Sequence, residues 1–348
     1  MHVNHCIPVY IHQVVAVAGR NFENAKRFAD LHSISKAYSS YEELALDPNI
    51  EVVYVGSLHP DHYATSRMLL ESGKHVLCEK PLTSCRTDTE ALCEVAKEKG
   101  LFLMEALWSR FLPTYRRLQE ELERGSIGAP RYVHMTAGYP MQGLQRVFRK
   151  DLGGSAVLTM GMYTTNLILQ VFGPEFPIKI TASGDFTDEG VDTVVAGTME
   201  FSGGRLATFA MSSIFHMPST AEIVGTNGTI TLDPPSLSPR GMQTPAGRMD
   251  FPFPPVCMPL NYKFSGGLRY EAEEVRRCLL REFRFRRAEA LAGEKGGSPA
   301  TTKETTTAAG RHSAKSDPNR AGEQPAEPLS TTSVTPDEKP RWKFGRRL

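Results

Sequence analysis

Gly73-Lys74-His75-Val76-Leu77-Cys78-Glu79-Lys80-Pro81 is the stretch that decides the fold. His75 to Cys78 reads as a short buried strand, because Val76 and Leu77 follow a glycine break and the next residues are polar. In an open parallel α/β sheet, ligands bind in the crevice beyond the carboxyl ends of the strands. A Glu-Lys pair placed there, with Pro81 fixing the chain direction after it, belongs to that crevice. Taken alone, Glu79-Lys80-Pro81 also suits a loop with two solvated charges.

The flanks alternate. Upstream, His12 to Ala18 predicts a strand, and Glu23 to Leu31 a helix with Ala25, Phe28 and Ala29 inward. Lys36 to Tyr38 and Val52 to Val55 predict two more strands. Ser40-Tyr41-Glu42-Glu43 fits a capping box with Ser40 as N-cap. His62 to Ser72 predicts a helix stopped by Gly73. Downstream come a helix over Asp88 to Lys99, closed by Gly100, and a strand over Leu101 to Met104. Alternation at these lengths is that of a doubly wound parallel sheet. Such a dinucleotide-binding fold opens with a strand and a G-x-G-x-x-G turn that holds pyrophosphate. No glycine precedes Gly19. The chain is therefore expected to begin at the second strand, without the phosphate cradle, as a truncated product would.

At 348 residues the chain has room for two domains. Apolar residues make up 40% and charged residues 23%, an ordinary globular composition. A net charge of +1 provides no global field for nucleic acid or a membrane surface. The apolar runs fall short of the ~18 residues of a spanning helix. The N-terminus lacks the basic and apolar regions of a secretory signal. The six cysteines (Cys6, Cys78, Cys85, Cys93, Cys257, Cys278) form no CxxC pair and read as reduced thiols of a cytoplasmic protein. His59 and His62 could share a metal on a helix, but no third ligand has a matching spacing, so no metal is expected.

Pro113 to Arg124 predicts a helix ended by Gly125 and Gly128, and beyond it the period changes to two. Strands are predicted at 132–137, 178–182, 193–201, 205–213, 221–224 and 229–232, with Gly203-Gly204 and Asn227-Gly228 as hairpin turns. One long helix, Gly154 to Val171, interrupts them. This is an α+β arrangement with a mostly antiparallel, open-faced sheet. Leu268 to Arg281 predicts a helix with Val275, Leu279 and Tyr270 inward. Gly293 to Pro340 holds aliphatic residues only at Leu329 and Val334, and is expected to be a disordered tail. The expected divisions are 1–111, 112–287 and 288–348.

Two further stretches complete the picture: Val52-Val-Tyr-Val-Gly-Ser-Leu-His-Pro-Asp-His62 and Gly100-Leu-Phe-Leu-Met-Glu-Ala-Leu-Trp-Ser-Arg-Phe111. With Glu79-Lys80-Pro81 they resemble the glucose-fructose oxidoreductase/inositol dehydrogenase (Gfo/Idh/MocA) family of NAD(P)-dependent enzymes, over roughly Gln13 to Arg281. Within it, the chain looks closest to dimeric members that oxidise trans-1,2-dihydrobenzene-1,2-diols and D-xylose with NADP. The resemblance implies an acid–base pair, Lys80 and Tyr163, converging on a substrate hydroxyl. It also implies that Ser57, His59, His62, Glu79 and Lys80 line the cofactor loops, and that the open sheet face makes a homodimer.

The chain departs from the family's pattern in two places. An Asp four residues before the Tyr is here Thr159, and the C-terminal helix gives way to the low-complexity tail. Tyrosine is a poor base at pKa ~10, so an adjacent Lys80 ammonium would have to favour the phenolate. Read without the resemblance, Tyr163 is a core aromatic. Arg20 comes after the second strand, where an Arg would take a ribose 2′-phosphate, which favours NADP; it also suits a plain surface residue. Trp108, Arg110 and Phe111 could wall a pocket for a diol or sugar, or Trp108 and Phe111 could be interdomain core. Two functions suit these residues. One is an NADP-dependent oxidoreductase on a small cyclic diol or aldose. The other is a member without catalysis that dimerises or binds.

Overall fold

Five short parallel strands carry the first half of the chain: β1 (Ala16–Ala18), β2 (Lys36–Tyr38), β3 (Val52–Val55), β4 (His75–Glu79) and β5 (Leu103–Ala106). Helices α1 (Phe22–His32), α2 (Tyr41–Leu46), α3 (His62–Glu71) and α4 (Arg86–Lys99) connect them. The computed structural model describes residues 12–256, 260, 262 and 264–281; Cys6, Cys257 and the predicted tail lie outside these. β1 and β2 form one sheet and β3-β4-β5 another, every pair parallel. No strand among the described residues joins β1 to β3. Both sheets nevertheless bury side chains in one cluster. Leu44, Val55, Leu69, Leu70, Val76, Cys78 and Leu92 form it, and Ala16, Ala18 and Tyr38 pack on it.

Local chemistry explains most element ends. Asn21 caps α1 by accepting the Asn24 amide, and Ser40 caps α2 by accepting the Glu43 amide at 3.1 Å. The Glu43 carboxylate reaches back one residue further than a capping box requires, accepting the amide and hydroxyl of Ser39. Gly100 closes α4 in the left-handed region that an L side chain resists. One inward assignment fails. Phe28 is 49% exposed and lies against the His32 ring at 4.4 Å, while Ala25 and Ala29 are buried as predicted.

The second half contains α5 (Pro113–Glu123), β6 (Pro130–Gly138), α6 (Gln145–Phe148), α7 (Met162–Phe172), β7 (Lys179–Phe186), β8 (Asp192–Phe201) and β9 (Arg205–Ser212). β10 (Ala221–Gly225), β11 (Gly228–Leu232), β12 (Gly241–Thr244) and β13 (Gly247–Asp250) come next. They form an eight-stranded mixed sheet of order β13-β12-β11-β10-β6-β9-β8-β7, parallel only between β6 and β9. Its inner face buries Val133, Met135, Ala207, Ile223 and Ile230 against Tyr115 and Leu118 of α5 and Leu167 and Ile168 of α7. Tyr132, His134 and Thr136 alternate with these buried residues and face out, half-buried. A last helix, α8 (residues 269–281), returns to the first half, where Val275 and Leu279 pack on Leu77 and Ala106.

The predicted single helix Gly154–Val171 is broken. A π-helical turn, Val157–Gly161, precedes α7. Wide turns of this kind recur at functional sites, and this one faces Lys80.

Candidate active site

The carboxyl ends of β3, β4 and β5 meet the π turn and the start of α7. Lys80 comes directly after β4, and its Nζ donates to the Thr159 carbonyl in the π turn at 2.6 Å. The same nitrogen lies 5.2 Å from the centroid of the Tyr163 ring, on its face. Burial lowers the Lys80 ammonium to about 8, with Arg146 adding to the fall and Glu79 and Glu105 opposing it. Tyr163 is 7% exposed, and its hydroxyl accepts the Trp108 indole N–H at 3.0 Å. Burial pushes that phenol well above its ordinary value despite the indole bond. The idea of a phenolate favoured by Lys80 therefore needs revision. The ammonium sits on the ring rather than at the hydroxyl, and desolvation dominates.

Glu79 accepts the Tyr54 hydroxyl at 2.6 Å and the Lys80 amide at 3.1 Å, so it is anchored beside Lys80. His62 is fully buried and spans two loops, with Nδ1 at 2.7 Å from the Pro81 carbonyl and Nε2 at 3.0 Å from the Ser57 carbonyl. His59 reaches the Gly153 carbonyl through Nδ1 at 3.3 Å. Burial, helped by the Lys80 charge, pushes its imidazole down to about 4, so it is neutral at pH 7. Gly153 has φ +77°, and a Cβ there would come within 2.9 Å of Pro60 Cδ. Only glycine allows this loop to close on His59 and Pro60.

On the β5 side, Glu105 accepts the Leu82 amide at 2.9 Å, and burial raises its carboxyl against the pull of Arg110 and Lys80. Arg110 is exposed and Phe111 half-buried in the turn that carries Trp108. Arg20, after β1, is exposed and meets Asp61 at 3.4 Å. The structure thus gathers Lys80, Glu79, Tyr163, Trp108 and Thr159, with His59, His62 and Ser57 beside them. Arg110 and Arg20 stand further out.

A nicotinamide cofactor fits one end of this site. The Ser57 hydroxyl oxygen is buried without a hydrogen-bond partner among the described residues, an orphan that a ribose or carboxamide group would satisfy. The Ser57 carbonyl meets the His62 ring. The described residues offer no glycine turn for the pyrophosphate, so the fit rests on the nicotinamide end.

Comparisons with known proteins decide the lineage. A profile described as the oxidoreductase family with an NAD-binding Rossmann fold matches residues 2–107, and the GFO/IDH/MocA C-terminal domain matches residues 115–231. Trans-1,2-dihydrobenzene-1,2-diol dehydrogenase of Danio rerio is 43% identical over 279 residues, which is 79% of this chain and 82% of that protein. The chain belongs to the Gfo/Idh/MocA oxidoreductase family. Among solved structures, levoglucosan dehydrogenase in complex with NADH and levoglucosan superposes with a TM-score of 0.68 at 20% identity, over 77% of this chain and 81% of that one. KijD10, a 3-ketoreductase from Actinomadura kijaniata in complex with NADP, gives 0.65 at 23% identity, over 78% and 82%. As a Gfo/Idh/MocA member, the chain is an NAD(P)-dependent oxidoreductase with a Rossmann-type domain followed by a sheet-rich one.

Two site residues were missed in the sequence: Tyr54 and Glu105. Tyr54 lies two residues from Val52 on one strand face, so the periodicity held a signal. For Glu105, inside an apolar run, the signal was a single charge in a predicted buried strand.

Proposed function

We propose that this chain oxidises a trans-dihydrodiol of the dihydrobenzenediol type, or a D-xylose-like aldose, with NADP as hydride acceptor. The observation that carries the reading is the desolvated Lys80 ammonium, tied to the Thr159 carbonyl beside Tyr163. Oxidising an alcohol carbon to a carbonyl sends its C–H hydride to the nicotinamide and its O–H proton to a base. Lys80, at about 8, is partly neutral near pH 7 and takes that proton at Nζ. Tyr163 keeps its own proton and donates a hydrogen bond to the substrate oxygen, while Trp108 holds its hydroxyl in place. In the reverse direction the Lys80 ammonium returns the proton.

Ser57, His59, His62 and Glu79 would frame the nicotinamide and its ribose. Arg20 would take the 2′-phosphate, because an exposed pair such as Arg20–Asp61 contributes little and a phosphate displaces it. Trp108 and Phe111 would wall the substrate, with Thr159 and Arg110 as polar contacts. The Danio rerio relative's name supports the diol, and the NADP complex of the 3-ketoreductase supports the cofactor. The outward Tyr132–Thr208–His134 hydrogen-bonded cluster and the exposed Ile178, Ile180 and Phe186 support a homodimer through the sheet. Free Cys78, Cys85, Cys93 and Cys278 are in keeping with the cytoplasm.

The test is NADPH formation from trans-1,2-dihydrobenzene-1,2-diol and from D-xylose, with NADPH binding measured separately by fluorescence. Lys80→Met should lose turnover and keep binding. Undiminished turnover in Lys80→Met would overturn the assignment. Binding without any turnover in the native chain would favour the second reading, a non-catalytic member.

A further inference from the structure

The eight-stranded sheet ends on two unlike edges. β13 is four residues long, and its Arg248 is held by Asp233 and Asp250. A short, charged edge of that kind resists pairing with another chain. β7 is eight residues long, all of them exposed, and it pairs only with β8. It contains no proline, and its outer backbone groups face no strand among the described residues. Its side chains alternate between the two faces. Ile180 lies opposite Met199, which packs on the helix-side core, yet Ile180 is 58% exposed. Ile178 and Phe186 share that face by period and are 71% and 60% exposed. Lys179, Thr181, Ser183 and Asp185 take the other face.

The β7 sequence is complementary to itself. In an antiparallel pair related by a twofold axis, opposite residues share a face only when the axis passes through a residue rather than between two. An axis at Ala182 sets Lys179 opposite the partner's Asp185, and Asp185 opposite the partner's Lys179. It also sets Ile178 opposite the partner's Phe186 and Ile180 opposite the partner's Gly184, each twice. A Cβ on Gly184 would come within 2.5 Å of the Val194 carbonyl oxygen, so this position stays a glycine and leaves space for the isoleucine opposite. The neighbouring registers, with the axis at Thr181 or Ser183, set Lys179 opposite Ser183 or Thr187 and lose both charge pairs. The Asp185 carboxylate makes no ion pair among the described residues, and Lys179 meets Glu200 at 3.4 Å in an exposed pair. Both charges are therefore free to be drawn across the edge.

We propose that two copies of this chain pair antiparallel along β7, with the twofold axis at Ala182, and so join their sheets into one. The main-chain groups of the free edge then gain partners, and the two Lys179–Asp185 pairs fix the register. Ile178, Ile180 and Phe186 leave water on the helix-side face. The twofold axis closes the assembly at two copies, because each β7 edge is used once. The inference rests on the homodimer reading and deepens it by naming the surface; it does not rest on the catalytic assignment.

The test is sedimentation equilibrium of the full chain and of charge-reversed variants at these exposed positions. Lys179→Glu sets like charges opposite each other twice, and so does Asp185→Lys. Each should raise the dimer dissociation constant about tenfold or more. An equimolar mixture of the two variants brings opposite charges together at both contacts and should dimerise as the native chain does. Ala182→Cys, on the axis, should oxidise to a disulfide-linked dimer beyond the level set by the native cysteines, while Ile180→Cys should not. That pair also tests the register if a reversed variant does not fold. A dimer unmoved by either reversal, reversals that the mixture does not rescue, or no disulfide at Ala182→Cys would overturn the edge pairing and leave the homodimer standing. A monomeric native chain would overturn both. None of these readouts needs cofactor or turnover, so their failure is separate from a failure of the oxidoreductase reading.

Discussion

On the proposed mechanism, the pH dependence of diol oxidation is the sharpest consequence of the burial of Lys80. The proposed base is the neutral amine of Lys80, whose proton affinity is lowered to about 8 by desolvation. About a tenth of the enzyme is then competent at pH 7, half at pH 8 and nine-tenths at pH 9. Thus kcat/KM should rise about fivefold from pH 7 to 8, less than twofold from 8 to 9, and then level off. A solvated lysine near 10.4 would give about a tenfold rise per unit across the same range. The assay is initial rate at subsaturating diol and saturating NADP in overlapping buffers. A rise that continues past pH 9 would refute the desolvated base and point to the Tyr163 phenol, which burial raises. Stability gives the matching sign. The unfolded chain holds this proton up to about 10.4 and the folded chain only to about 8, so the cost of the buried ammonium is full below pH 8 and fades as pH rises through that window. Lys80→Met should therefore show a Tm equal to or above that of the native chain.

Tyr163→Phe should lower kcat by about 10²-fold or more, with little change in NADPH binding, because it removes the donor aimed at the substrate oxygen; an unchanged kcat would contradict that role. Arg20→Ala should raise KM for NADP about tenfold and leave KM for NAD unchanged, as expected for a lost charge-assisted phosphate contact. Gly153→Ala forces a side chain onto Pro60 and a left-handed backbone at once, so thermal unfolding should show a loss of about 1–3 kcal/mol.

The first half of the fold was legible because its signals are local. β2 and β3 have the predicted bounds, and Gly73 and Gly100 end their helices as glycines do. The strand running into Glu79-Lys80-Pro81 ends at Glu79, so Lys80 stands just past the carboxyl end of a parallel strand, where such a sheet opens its crevice. The sequence was silent where tertiary placement decides. The π turn inside Gly154–Val171 presents the Thr159 carbonyl to Lys80, a residue 79 positions away. β12 and β13, each opening on a glycine and holding one methionine among polar residues, carry no apolar alternation and pair onto the edge at β11. The proton affinities of Lys80 and Tyr163 come from burial, which composition does not reveal; hence the expectation of a phenolate.

The central claim is that this chain transfers hydride with Lys80 taking the proton. It is tested most directly with trans-1,2-dihydrobenzene-1,2-diol deuterated at its carbinol carbons. After incubation with the purified chain and NADP, deuterium on the nicotinamide ring is measured by mass spectrometry. Deuterated NADPH formed by the native chain and absent with Lys80→Met is the predicted result. Deuterium transfer that persists undiminished in Lys80→Met, or that never occurs with the native chain while NADP is bound, would contradict it.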